Sequence, residues 1–471
     1  MLSVVLTANA LAQPQISSKD AEKELYSLDF YSDSRGMHLS PGILNKVDFI
    51  RNIIGGTMAD DQVLKSLARR WGIQEHRGDL VGIKTVTDGK LKVGVLGCVA
   101  CHSGKAAGQY IIGIGNKNID PGQIGMDGIR IETAFKKWTD LLASTNLKTK
   151  STHYREIENS SIRLMRKLAD PRLSAVTQGL VPVSLVGSWF YEVAGEKIPD
   201  HGFIGAVKVP SWFGFEKKLE VGQFADAIGK GHPPGWIIGV EITSGQKPQT
   251  IRNYFSRVEH ASDLLSALKP PKYPFAINVE RAARGQVIFE QTCAKCHGTY
   301  EYLANGDPIY KAPKVIPLEK VGTDPDRLDY VTEDFLARVS SSPLNDLIQL
   351  SEYAGKRMYV APRLHAIWSR FPYLHNASVP TLRDLLEPAA KRPKLFSLAN
   401  AGEKSRYDSV RGGLTMPHRD HELSSLIDDY KNGERWIYDV TVHGQSNQGH
   451  EKLVDRSDSE KDDIVEYLKT L

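Results

Sequence analysis

The sequence predicts a mainly α fold with extensive irregular loops and additional helices. Three observations predict it. Apolar residues recur at helical spacing in several separate stretches, sustained apolar/polar alternation is scarce, and glycine- and proline-rich segments divide the stretches from one another. A length of 471 residues with 41% hydrophobic and 25% charged residues suits a folded chain of two or three globular units. The net charge of +4, with no Lys/Arg tract, gives no sign of a nucleic-acid partner. No apolar run approaches the length of a transmembrane span.

Residues 1–12, "MLSVVLTANALA", are apolar and end on an A-x-A pattern at Ala10 and Ala12, which reads as an export signal. The first basic residue is Lys19, so two readings stand: a signal whose basic start precedes Met1, or a buried N-terminal segment. Residues 13–268 then carry helical stretches such as "DQVLKSLARRWG", "RIETAFKKWTDLLAS" and "REIENSSIRLMRKL". "LKPPKYPF" follows, and its proline-rich part, 269–275, reads as a linker to a C-terminal region at 276–471. There Asn278 is a candidate N-cap for a helix placing Ala282, Gly285 and Phe289 on one face. Gly285 would admit the close approach of another helix or a cofactor edge. At the far end Ser457 and Glu460 form an S-x-x-E capping box ahead of Ile464, Tyr467, Leu468 and Leu471. Such a terminal helix could pack across the Asn278 helix.

All four cysteines fall in two C-x-x-C-H stretches, "LGCVACHSG" at 96–104 and "QTCAKCHGT" at 291–299. A redox disulfide expects a βαβ setting, which neither stretch has. A zinc site expects its two pairs some 15–20 residues apart, whereas these lie nearly two hundred apart. Covalent haem attachment needs two thiols for the vinyl groups and an adjacent histidine for the iron. Cys98, Cys101 and His102 supply one such set, and Cys293, Cys296 and His297 the other. The expectation is two cytochrome c-like haem domains binding two covalent haem c groups. Haem is attached outside the cytoplasm, so a periplasmic or secreted location follows.

Several stretches carry a resemblance to the dihaem c-type cytochromes of the bacterial cytochrome c peroxidase superfamily, closest to the rubber-oxygenase-like branch. They are "CVACHSGKAAGQYIIGIGNKNID", "VKVPSWFGFEKK", "PPKYPFAINVERAARGQVIFEQTCAKCHGTY", "APRLHAIWSRFPYLHNASVPTLRDLL" and "GQSNQGHE". The likeness runs from about Lys92 to Leu471. It implies that His450, in the N-x-G-H segment, is the distal ligand of the second haem, with His375 of "PYLHN" and Met416 as rivals. A haem with two histidines suits electron transfer better than substrate binding. His365, His418, His421 and His443 read as surface or loop histidines.

For the first haem the resemblance implies an iron without a distal protein ligand, overhung by a phenylalanine. Phe224 is the candidate lid, and Trp212 the aromatic between the haems. Phe213 and Phe215 lie in the same stretch, where ordinary core packing is an equal reading. His232, and less so His201, would close the site if either bound that iron. Two functions stay open. One is an exported oxidoreductase whose first haem activates peroxide or oxygen while the second relays electrons. The other is a dihaem electron carrier without its own substrate. The partners expected are a redox protein or small electron donor or acceptor, with peroxide, oxygen or an organic compound as substrate. A calcium ion, seen in the related peroxidases, has no residues to which it can be assigned.

Overall fold

The computed structural model describes residues 16–27, 37–39, 60–88, 91–130, 164–214, 229–230, 248–253, 255–302, 308–310, 314–416 and 420–471. Helices dominate this set, and the sheets are small, mostly two-stranded. Mainly α is therefore the right class. The export-like residues 1–12, Phe215, Phe224, His232 and His418 lie outside the described residues, as do most of "RIETAFKKWTDLLAS" and the first half of "REIENSSIRLMRKL".

Helix α1, Ser18–Ser27, buries Ala21 and Leu25. It packs on α4, Phe255–Ala267. Helix α2, Asp60–Arg70, ends on buried Ala68 and leads into fully buried Trp71. The three-stranded sheet has β1, Met37–Leu39, and β2, Ile83–Asp88, on either side of β3, Leu91–Leu96, all antiparallel. The hairpin β2–β3 escapes the helix-based reading. Its signal is the Asp88-Gly89 dipeptide, a common hairpin turn, between alternating Val and Thr residues.

Strand β3 runs directly into the first cysteine stretch, whose short helix α3 spans Cys98–Cys101. Strands β4, Ser103–Ala106, and β5, Gln109–Ile112, then turn the chain back over it. Asn116 explains the fixed shape of the following "GIGN" run. Its amide donates to the carbonyls of Ala100 (2.9 Å) and Gly72 (2.8 Å), and its own N–H donates to Cys101 O (2.8 Å). Further along, β6, Leu180–Pro182, pairs with β7, Ala206–Lys208, and carries the chain to the aromatic segment at 210–214.

The proline-rich stretch is held by packing. Pro271 O accepts from the Trp368 indole (3.3 Å), Tyr273 Oη donates to Ser409 O (2.9 Å), and Phe275 stacks on Tyr407 at 5.7 Å. Helix α5, Val279–Thr292, begins at Asn278, whose side chain accepts from Arg281 N. It leads straight into α6, Ala294–His297, the second attachment stretch. The terminal helix α7, Asp458–Lys469, starts with the Ser457–Glu460 capping box, both reciprocal bonds being made. It buries Ile464, Tyr467 and Leu468. One contiguous apolar core joins these helices to the N-terminal ones, from Ala21 through Phe289 to Leu471.

Helices α5 and α7 cross at Gly285. A methyl group there would lie 1.9 Å from Asp463 O and 2.9 Å from Ile464 N, so the backbones touch where no side chain fits. Arg281 Nε (2.9 Å) and Arg284 Nε (2.7 Å) clamp the Asp463 carboxylate beside the crossing. Arg284 first, then Arg281, hold that carboxyl below its usual range. The stabilisation is complete above the ordinary carboxylate pKa and is lost as pH falls through the lowered one. Gly285→Ala should cost about 1–3 kcal/mol by overpacking, and Gly285→Val more. Thermal or denaturant unfolding checks this, and a neutral Gly285→Val would show that the helices do not cross here.

Candidate haem sites

The two C-x-x-C-H stretches lie on short helical turns, and their cysteines form no disulfide. Burial pushes the Cys101 thiol up to about 12 and also raises that of Cys293.

The histidines of the two C-x-x-C-H stretches are held alike. His102 Nδ1 lies 2.9 Å from Pro210 O, and His297 Nδ1 lies 2.9 Å from Pro362 O. A ring N–H donated to a backbone carbonyl fixes the tautomer and leaves Nε2 as the free, more basic nitrogen. Burial lowers the His297 pKa, partly offset by the bond to Pro362. A neutral ring is what a metal requires. Neither proline carbonyl is visible as functional in the sequence; the only shared trace is a Val-x-Pro or Val-Pro step, in "VKVP" and "YVAP".

His450 faces His297, ring centroids 6.2 Å apart and planes inclined at 56°. A metal–imidazole bond of about 2 Å plus about 1 Å from nitrogen to ring centre, on each side, sums to about 6 Å. The observed centroid separation is thus close to what one metal atom bridging the two rings would require. Burial, then the neighbouring His297, pull the His450 pKa down to about 3. Its Nδ1 is buried without a hydrogen-bond partner.

The His450 loop is held by its backbone. His450 N donates to Val321 O (2.8 Å), and Arg392 Nη1 donates to Asn447 O (2.5 Å). His450 itself has φ +56° and Gly449 φ +82°. A Cβ on Gly449 would come within 2.3 Å of the Gly322 carbonyl carbon, so only glycine fits there. His375, the rival, is placed elsewhere. Its ring packs 5.6 Å from Tyr359, and burial lowers its pKa to about 3. Met416 packs on the core, and His443 pairs with Asp326 at 3.0 Å on the surface. His421 lies on the helix Asp420–Lys431.

His365, read as a surface or loop histidine, lies in a turn of the loop after Pro362; it is not on the surface, being 7% exposed and packed against Tyr300.

At the first stretch, Trp212 stacks on His102, with centroids 4.5 Å apart and planes at 17°. Its position is set by a backbone ladder: Gly113 N donates to His102 O, and Trp212 N to Gly113 O, both 2.8 Å. The indole Nε1 is buried with no partner. Phe213 is 1% exposed and packs on Gly113 as core. His201 packs on Tyr330 at 4.9 Å.

The segments carrying the two proline carbonyls touch each other. Gly214, φ +69°, brings its backbone against Arg363 and His365; an added Cβ would lie 2.8 Å from Arg363 Cδ and 3.0 Å from His365 Nδ1. The geometry therefore suits covalently held haem in three respects: paired thiols with an oriented histidine, a space for one metal atom before His450, and an unpaired buried indole N–H beside His102. Among the described residues no group of three or more His, Cys, Asp or Glu gathers that could hold a metal ion, and calcium stays unassigned. No helix of the described residues is long and apolar enough to cross a membrane.

Comparison with known proteins agrees with this geometry. The chain is 30% identical over 250 residues to the uncharacterized protein y4iM of Sinorhizobium fredii, which covers 44% of this chain and 52% of that protein. It is 27% identical over 276 residues to a second uncharacterized protein of the same organism, y4iJ, covering 45% and 43%. The chain thus spans about half the length of the curated relatives it matches. Residues 358–397, which include Pro362, match the family model described as RoxA-like, cytochrome c-like, and this marks a c-type cytochrome segment with haem c as its cofactor.

Proposed function

We propose that the chain is an exported dihaem c-type oxidoreductase. Cys98, Cys101 and His102 would hold one haem, and Cys293, Cys296 and His297 the other, with His450 as sixth ligand. Haem iron with an open position can bind and reduce peroxide or oxygen, whereas iron between two histidines exchanges electrons only. The observation that carries the reading is the opposition of His297 and His450 across a metal-sized gap, beside a His102 covered on one face by Trp212.

The chain's own residues have separable tasks here. Pro210 and Pro362 orient the proximal rings and raise their basicity. Trp212 shields His102 from water and fixes its rotation. The Gly449–His450 backbone holds the distal ring in place whether or not a metal is present. The packing of residue 214 on 363 and 365 gives a short protein route between the two proximal segments, the place at which a redox relay needs one. Export is supported by the A-x-A pattern together with haem attachment. The electron donor, and the choice among peroxide, oxygen and an organic substrate, belong to the same proposal. In the electron-carrier reading both irons are closed, and the residues that would close the first are His232 or His201.

The test is spectroscopy on chain matured with covalent haem. Mass and haemochrome analysis should give two haems per chain. One should be low-spin and inert, the other should change on adding cyanide, peroxide or oxygen; two inert low-spin haems would leave only the carrier reading. His450→Ala should convert the inert haem to high-spin. Gly449→Val should do the same without touching a ligand, because it displaces the loop. An unaltered spectrum in His450→Ala would remove His450 as ligand.

A further inference from the structure

Between the two proximal segments lies a group of cations with no anion. Lys208 Nζ donates to the carbonyls of Arg370 and Pro372, both at 2.8 Å. Lys117 is 8% exposed, donates to Lys105 O and sits 4.4 Å above the Phe371 ring. Arg370 spends its two terminal nitrogens on the carbonyls of Arg363 and His365 and leaves Nε buried without a partner. Among the described residues no carboxylate pairs with any of the three. Desolvation dominates each: it takes Lys208, helped by Arg370 and Lys117, to about 7, Lys117 to about 7, and Arg370 to about 10.

Buried charges are found paired, since an unpaired one is costly. Three neighbouring cations without a partner are thus half of an interaction. Their placement says what the other half is. Lys208 is two residues before Pro210, whose carbonyl holds His102. Lys117 follows Asn116, which is bonded to Cys101. The buried, unpaired indole N–H of Trp212 lies against His102 itself. An anionic, carboxylate-bearing group beside the first cysteine stretch would suit this placement.

We propose that Lys208 and Lys117, with Arg370 and the Trp212 indole N–H, form a buried carboxylate site that takes the propionates of the haem held by Cys98, Cys101 and His102. The site rests on the haem reading above. Bound there, the carboxylates would bring positive charge to the haem's edge, which would favour the reduced iron. The carbonyls that Lys208 and Arg370 bind all belong to residues 363–372, so the same contact ties the first haem to the segment that orients His297.

The experiment compares Lys208→Met and Lys117→Met with the wild type, all haem-loaded, by spectroelectrochemical titration. Each variant should lower the midpoint potential of one haem and leave the other in place, and Lys208→Arg should keep the wild-type value. Both midpoints unchanged in both Met variants, with two haems per chain, would overturn the site; wild-type chain without covalent haem would instead overturn the haem reading. If Lys208→Met does not fold, Lys117→Met and Trp212→Phe are read by the propionate bending bands in resonance Raman, and unshifted bands count against the site. A midpoint that moves as sodium acetate is added to the wild type would mean an open pocket for free carboxylates and would also overturn the propionate assignment.

Discussion

The hydrogen bond from each C-x-x-C-H histidine to a proline carbonyl is the constraint on which the rest of the candidate sites depends. A C-x-x-C-H stretch brings thiols and an imidazole together but leaves the ring free to turn. Pro210 and Pro362 remove that freedom at equal distance, 2.9 Å, on two otherwise different backgrounds. With each ring so fixed, the direction of the remaining nitrogen follows, and with it the side on which a sixth ligand or a substrate must stand.

From that constraint the two halves diverge. At His297 the opposite side is met by a backbone loop in left-handed conformation, presenting His450 at a metal's width. At His102 a tryptophan lies flat on the ring. The same two peptide segments that supply the carbonyls meet at Gly214, which lies against Arg363 and His365.

Much of this is written in local sequence. The Asn278 cap, the Ser457–Glu460 box, the apolar face of each helix and the close approach at Gly285 are short-range signals whose energetics act within a few residues, and each takes its expected form. The cysteine stretches are equally local. What the sequence hides is long-range and made by backbone. Pro210 and Pro362 act through carbonyl oxygens, which every residue has, so their identity carries no chemical label. Lys117, Lys208 and Arg370 look like surface charges until the fold closes over them. His365 is a loop histidine as read, but its burial comes from long-range contacts with Tyr300 and with Gly214, some hundred and fifty residues earlier. The β2–β3 hairpin is a different miss, a turn dipeptide overlooked beside stronger helical patterns.

The crossing of α5 and α7 bears on the order of assembly. The helix that runs into Cys293 is completed by a helix well over a hundred residues downstream, and the two backbones touch with nothing between them. Helix α5, which runs into Cys293, therefore completes its packing only against a segment far downstream in the chain.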